Sequence, residues 1–245
     1  MPDVDTIEQL TGLLLRARDT GHRVEANGLR LPDYDEALAV QRRVWPALGA
    51  LSGFKVGAFR PGQPAMAPIP SARTYVSGSE VPARDRLGIE LEIGFEVLQA
   101  PKKGMRDMPQ VCFLPRIVLE LCNQRLAGES LDPALKLADM QLNEGLVIGP
   151  ALNGWDGSDF TGLDARLRCG DTTVIDGSVE VPGGSALENL WTLLDHLGTH
   201  CGGIDIGHIL ITGSVSGLRW FPPGTDVEGR IAGFDSINCR IVDHA

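Results

Sequence analysis

No basic run longer than Arg42-Arg43 or Lys102-Lys103 occurs in this sequence, and 32 acidic residues against 22 basic ones give a formal charge of −10. Nucleic acid is excluded as a partner class, because phosphate binding needs a basic footprint. Anionic membrane surfaces are disfavoured for the same reason. No window reaches the roughly 18 apolar residues of a membrane-spanning helix. The N-terminal stretch, with Asp3, Asp5, Glu8 and Arg16, lacks the basic and then uninterrupted apolar regions of a secretory signal. Cys112, Cys122, Cys169, Cys201 and Cys239 are odd in number and scattered, with no C-x-x-C pair, so neither a disulfide framework nor a zinc ribbon is indicated. A reducing, cytoplasmic setting is the expectation. There is no P-loop, no G-x-G-x-x-G phosphate cradle, no internal repeat and no low-complexity linker. Gly213–Gly217 carries Val215 where a nucleophile elbow has its serine.

What is present is an ordinary ordered composition, 43% hydrophobic and 22% charged over 245 residues. Apolar residues recur at helical spacing from Val4 to Arg18, with Asp3 or Asp5 available as a cap. A second helix is expected after Pro32, capped by Asp33 and running to Ala50. Gly53–Gly57 is short, apolar and glycine-bounded, and the proline-rich stretch from Arg60 to Ser71 reads as a loop. Strands are expected at Leu87–Val97 and Phe113–Cys122, the latter pushed toward an edge or a bulge by Pro115. A short helix at Pro133–Leu142 then leads into a strand at Gly145–Ile148, and Ser185–Gly198 is the clearest helix of the second half. Strands follow at Ile209–Thr212, Asp226–Ile231 and Ser236–Val242. Strands outnumber helices without alternating with them, which argues for an α+β fold with a mixed, rolled β-sheet. A single domain is expected, residues 1–50 forming a helical segment packed on a β-rich core of residues 51–245.

Glu90 and Glu92 are two apart in an expected strand, so both carboxylates share one face while Ile89, Leu91 and Ile93 point the other way. An E-x-E pair alone is more often a solvated strand face. Glu120 changes that balance, because it interrupts the otherwise apolar run Ile117–Cys122. A carboxylate buried there without a partner costs several kcal/mol. A metal, a base or a raised pKa is therefore expected beside it. Three carboxylates suit a hard cation, Mg²⁺ or Mn²⁺, better than zinc. Such an ion would also let an acidic protein gather positive charge for an anionic substrate. Arg125 is either a surface arginine or a clamp for a carboxylate.

The order of Gly53–Gly57, Glu90-Leu-Glu92, Glu120 with Arg125, Leu137-Ala-Asp139 with Gly149, Leu210–Ser214 and Pro223-Gly224 resembles the successive motifs of a known family. This is the 2-hydroxypentadienoate hydratase and 4-oxalocrotonate decarboxylase branch of the fumarylacetoacetate hydrolase superfamily, and Asp35–Gln41 resembles its N-terminal helix. The matches are collinear over roughly residues 33 to 242, an order that chance reproduces far less readily than one short motif. The resemblance implies the superfamily's fold and a divalent ion on Glu90, Glu92 and Glu120 that grips a small 2-oxo acid. It implies Lys55 as the proton-transfer residue, its pKa lowered by burial and the nearby cation, with Arg125 as a second catalytic group. Thr212, Ser214, Asp139 and Lys136 become candidate substrate contacts, and a homo-oligomer is implied.

Two stretches depart from the family pattern. Ile69–Val76 lacks the acid that hydratases of this group carry between the lysine segment and the E-x-E strand. Leu135–Leu142 keeps only Ala138-Asp139 of a segment that is otherwise polar, with Lys136, Met140 and Leu142 as replacements. Hydration of a 2-keto-4-pentenoate-like substrate is the leading expectation. Decarboxylation of a 4-oxalocrotonate-like acid, acylpyruvate C–C hydrolysis and metabolite binding without turnover are the alternatives. His196 and His200, a helical turn apart and followed by Cys201, mimic half a zinc site but lack a second pair, and His22 with Glu25 precedes the lysine segment where the hydrolase branch has such a pair after it.

Overall fold

The computed structural model describes residues 4–100, 102 and 104–244; Asp3, one of the two caps considered for the first helix, lies outside them. The chain opens with α1 (Val4–Thr20), whose buried Ile7, Leu10, Leu14 and Ala17 form one apolar stripe. α2 (Tyr34–Val44) begins at a capping box, in which Asp33 accepts the Glu36 N–H and Glu36 accepts the Asp33 N–H. It buries Ala37, Val40 and Val44, and a 3-10 turn at Trp45–Leu48 ends it.

The strands and remaining helices follow in order: β1 (Leu51–Arg60), β2 (Gln63–Pro70), β3 (Thr74–Val76), β4 (Glu80–Ala83), β5 (Leu87–Val97), α3 (Pro109–Cys112), β6 (Phe113–Cys122), α4 (Pro133–Ala138) and β7 (Asn143–Ala151). The second half adds β8 (Gly162–Cys169), β9 (Thr172–Glu180), α5 (Ala186–Leu197), β10 (Ile209–Ser214), β11 (Arg219–Phe221), β12 (Asp226–Ile231) and β13 (Ile237–Asp243). They build two sheets. The larger runs β2-β1-β10-β5-β6-β7-β3 with β11 on β5, and the smaller runs β4-β13-β12-β8-β9. β1–β10, β3–β7 and β4–β13 are parallel and the other pairs antiparallel, so this is an α+β architecture with a mixed, curled sheet.

The period of two along β5 and β6 sorts their residues between two environments. Ile89, Leu91, Ile93 and Phe95 with Ile117, Leu119 and Leu121 join the main core, where Leu91 and Leu119 meet Gly229 of β12. Gly88, Glu90, Glu92 and Gly94 with Val118, Glu120 and Cys122 face the inside of the curl. There a separate apolar cluster of Ile69, Val118, Leu146, Ile209 and Ile211 draws β2, β6, β7 and β10 together. Gly94 is needed for that closure, because a Cβ on it would lie 2.8 Å from a methyl of Ile209.

Three expectations change. Most of the Arg60–Ser71 stretch, Gln63–Pro70, is a strand, β2, paired antiparallel with β1 and not a loop. Its prolines are tolerated because β2 is an edge of the hydrogen-bonded path, where a missing N–H removes no ladder bond. β6 is central, flanked by β5 and β7, and Pro115 is absorbed by a register shift against β7 between Arg116 and Val118. The β8–β9 hairpin, unforeseen, carries the outer half of the second sheet. Among the described residues no helix is long and apolar enough to cross a membrane.

Candidate active site

The inside of the curl gathers charges that are far apart in the chain. β5 and β6 pair with Glu90 directly opposite Glu120, and Glu92 lies one step along on the same face. Glu120 is fully buried and Glu92 nearly so. Lys55, on β1, reaches in from the opposite side of the curl. Its Nζ donates to both oxygens of Glu120 at 2.5 and 2.7 Å and to the Gln141 carbonyl at 3.3 Å. Asn143 Nδ2 donates to the same Glu120 carboxylate at 2.8 Å, the Gly213 N–H donates to Glu92 at 2.8 Å, and Ser214 hydrogen-bonds Glu90. Cys122, opposite Gly88, donates its thiol to Glu90 at 3.4 Å.

The electrostatics follow from burial and crowding. Burial and then Glu120 raise the Glu90 pKa, and burial with Glu120 and Glu90 raises that of Glu92 well above the usual carboxylate range. The Cys122 thiol is pushed far up by burial and the neighbouring carboxylates, so it stays protonated. The lowered pKa expected for Lys55 is reversed here. Burial lowers it, but Glu120 and the other acids outweigh burial and hold the amine as ammonium.

One ammonium facing three carboxylates is too little positive charge to keep all three ionised in a buried space, which is why Glu90 and Glu92 are raised; a divalent cation there would supply the charge that lets them ionise. The donors also fit. Oxygens of Glu90 and Glu120 lie with the Cys122 sulfur within 4.8 Å of one another, the only such ligand group among the described residues; the Glu92 carboxylate, which accepts the Gly213 N–H, is not part of that group. Carboxylate oxygens suit a hard cation, and a protonated thiol is a neighbour of such an ion and not a ligand.

The segment that departs from the family pattern shapes one wall. Met140, Gln141 and Leu142 have φ of 53°, 49° and 64°, three successive left-handed residues with side chains. Such residues cost about 1–2 kcal/mol each. The turn is held by the Leu142 N–H on the Asp139 carbonyl, the Asn143 N–H on that of Met140 and the Asn123 N–H on that of Leu142. It aims the Gln141 carbonyl at Lys55. It also leaves Gln141 Oε1 and Asn143 Oδ1 buried without a hydrogen-bond partner.

Of the residues singled out from sequence, Lys55, Glu90, Glu92, Glu120 and Ser214 come together. Four others do not join them. Arg125 is buried behind β7, donating to the carbonyls of Asn123 and Asn143 and to the carboxylates of Asp139 and Glu144, so its guanidinium is committed within the protein. Asp139 is the other half of that ion pair, at 2.9 Å, and also accepts the Arg125 N–H. Thr212 is 1% exposed and donates to the Ile93 carbonyl. Lys136, partly exposed in the last turn of α4, has no hydrogen bond to the cluster. Sequence reasoning missed Asn143, Gln141, Cys122 and the Gly213 N–H. Asn143 opens β7, Cys122 ends β6, Gly213 lies near the end of β10 and Gln141 sits in the turn before β7, positions that carry no chemical signal until the strands are paired.

The histidine decoys are structural. His200 Nε2 meets Gln41 Oε1 at 2.9 Å, and Gln41 Nε2 donates to the Met66 and Leu137 carbonyls, tying α2 to β2 and α4. Burial, helped by Arg42, pushes the His200 pKa down to about 4. The unfolded chain therefore takes up a proton near pH 6.5 that the folded one refuses until about pH 4. Stability is full above pH 6.5 and falls by roughly 2–3 kcal/mol across that window. Urea unfolding at pH 7 and pH 4.5 checks this, and His200→Gln is expected to lose correspondingly less between the two.

No family model matches the chain, and no curated protein matches it by sequence. Solved structures do match. The 4-oxalocrotonate decarboxylase of Pseudomonas putida G7, complexed with magnesium and adipate, superposes with a TM-score of 0.77 at 18% identity over 99% of both chains. A 5-carboxymethyl-2-hydroxymuconate delta-isomerase from Mycobacterium smegmatis matches at 0.56 and 13% identity, over 80% of this chain and 81% of that one. The maleylpyruvate hydrolase of Sphingobium sp. SYK-6, with manganese(II) and pyruvate, matches at 0.56 and 14%, over 79% and 70%. The fold is the one these proteins share.

Proposed function

We propose that this chain is a metal-dependent lyase acting on a small 2-oxo acid, with decarboxylation of a vinylogous 2-oxo acid as the reaction its site suits best. The observation that carries the reading is Lys55 clamped on Glu120 beside Glu90 and Glu92 inside the curl. The solved enzymes of this fold contain magnesium with adipate, or manganese with pyruvate, which supports a divalent ion and a small carboxylic acid as ligands here.

Glu90, Glu92 and Glu120 would hold the cation. When bound, Mg²⁺ or Mn²⁺ supplies polarisation of the 2-oxo oxygen, stabilising the negative charge that develops as a bond to carbon breaks. Lys55 Nζ is the proton donor to the resulting carbanionic carbon, oriented by Glu120 and the Gln141 carbonyl. Asn143 fixes Glu120, the Gly213 N–H fixes Glu92, and Ser214 fixes Glu90. Ile69, Val118 and Ile211 exclude water from that side. Decarboxylation needs an electron sink and one proton donor but no base to activate water. That agrees with the missing acid in residues 69–76 and with apolar Met140 and Leu142.

Hydration, favoured from sequence, remains the second reading. The partnerless Gln141 Oε1 and Asn143 Oδ1 support it, since two acceptors can hold a reacting water. Carbon dioxide release during ultraviolet loss of a dienol substrate separates the two; loss without carbon dioxide means hydration, and pyruvate-type fragments mean hydrolysis. Glu92→Gln is expected to weaken Mn²⁺ binding at least roughly tenfold by calorimetry, because one anionic donor is lost. Unchanged affinity would remove Glu92 from the ligand set.

A further inference from the structure

A cavity of about 780 Å³ lies between the end of α1, the β4–β5 connection and the start of β7, with none of Lys55, Glu90, Glu92 or Glu120 in its lining. Six arginines line it: Arg18, Arg23, Arg73, Arg84, Arg86 and Arg125. Three carboxylates share the lining, Asp19, Asp85 and Glu144. This excess of positive charge stands out on a chain whose net charge is −10.

The pairing is incomplete in a specific way. Arg23 is bidentate on Asp85, and Arg73 and Arg125 share Glu144. The guanidinium groups of Arg18, Arg84 and Arg86 make no hydrogen bond among the described residues, and Arg86 only stacks on Trp220 at 4.7 Å. Arg18 Nε is sealed from solvent without an acceptor. Burial and the neighbouring Arg125 push the Arg18 pKa down to about 9, so the charge is held against a penalty that an anion would relieve. Arg84 is seated over Gly21, where a Cβ would lie 2.2 Å from its Nε, so any other residue there would displace it. Asp139 and Glu144 act on Arg18, and Asp85 on Arg86, but these carboxylates are already bonded to Arg125, Arg73 and Arg23, so the guanidinium groups around the cavity outnumber their counter-charges, and forked donors match carboxylate and phosphate oxygens.

We propose that this cavity is a binding site for a small organic anion bearing at least two negative charges, a dicarboxylate or a phosphate ester, held by Arg18, Arg84 and Arg86. The site is independent of the glutamate cluster and of the reaction performed there. Its volume is in the range of small-molecule pockets.

The test uses the full chain stripped of divalent cations with EDTA, so that the glutamate cluster offers an anion no metal to bind. Inorganic phosphate and succinate are the two probes, standing for the two chemical sources, and calorimetry is expected to show one saturable site per chain for at least one of them. Arg84→Gln, at an exposed position that does not hold the fold together, and Arg18→Met are each expected to weaken that binding roughly tenfold. Glu120→Gln is expected to leave it intact. Saturation by neither probe would overturn the proposal. So would affinity that both arginine variants leave at the wild-type value, or binding abolished by Glu120→Gln.

Discussion

Lys55→Ala is expected to lower kcat by about 10²–10⁴-fold, the range for loss of a positioned proton-transfer group. It should leave Mn²⁺ affinity unchanged or slightly tighter. Among the described residues Lys55 is the only cation bonded to Glu120, and both oxygens of Glu120 and the Gln141 carbonyl fix its Nζ. Removing it deletes the proton donor while relieving repulsion between an ammonium and an incoming divalent ion. Lys55→Arg should not rescue, because a guanidinium does not release a proton near neutral pH. The same substitution leaves Glu120 buried without a counter-charge, so the metal-free variant should lose about 3–5 kcal/mol of stability and regain much of it with Mn²⁺. Single-turnover rates and urea unfolding with and without the ion read both effects. Turnover near the wild-type rate would remove Lys55 from the chemistry.

Arg125→Met is expected to act on stability and not on the chemistry. Its guanidinium answers Asp139 and Glu144 and two main-chain carbonyls, and acidic neighbours outweigh burial in holding it charged. Burial alone raises the Asp139 pKa even with Arg125 in place. Deleting the arginine leaves that carboxyl uncompensated, a loss of about 3–5 kcal/mol, or on the order of 10 °C in melting temperature for a chain of this length. Activity should fall in step with the folded fraction, because Arg125 reaches the site only through Asn143, whose amide orients Glu120. A large drop in kcat at unchanged melting temperature would restore Arg125 as a catalytic group.

The sequence exposes the elements whose pattern is local. α1, α2 and α5 carry apolar stripes, α2 and α5 carry N-caps at Asp33 and Ser185, and β5 shows strict alternation around Glu90 and Glu92. β2 was hidden because Pro64, Pro68 and Pro70 read as loop punctuation, and only its edge position makes them compatible with a strand. β9 was hidden because it is largely exposed on both faces and shows no clean alternation. For the site, Glu120 was legible as a lone charge in an apolar run. Arg125 was misjudged because its partners Asp139 and Glu144 lie 14 and 19 residues on, brought to it by the left-handed turn at 140–142. Three residues with side chains at positive φ leave no mark in a sequence without glycine at those positions.

The arrangement of Glu90, Glu92 and Glu120 around one hard ion is tested most directly by an anomalous difference map from crystals soaked in Mn²⁺ and oxalate. One strong peak per chain is expected, about 2.0–2.3 Å from carboxylate oxygens of all three glutamates, with Lys55 Nζ beside the oxalate. No peak there at saturating Mn²⁺, or a peak elsewhere with Lys55 still closed on Glu120, would contradict it.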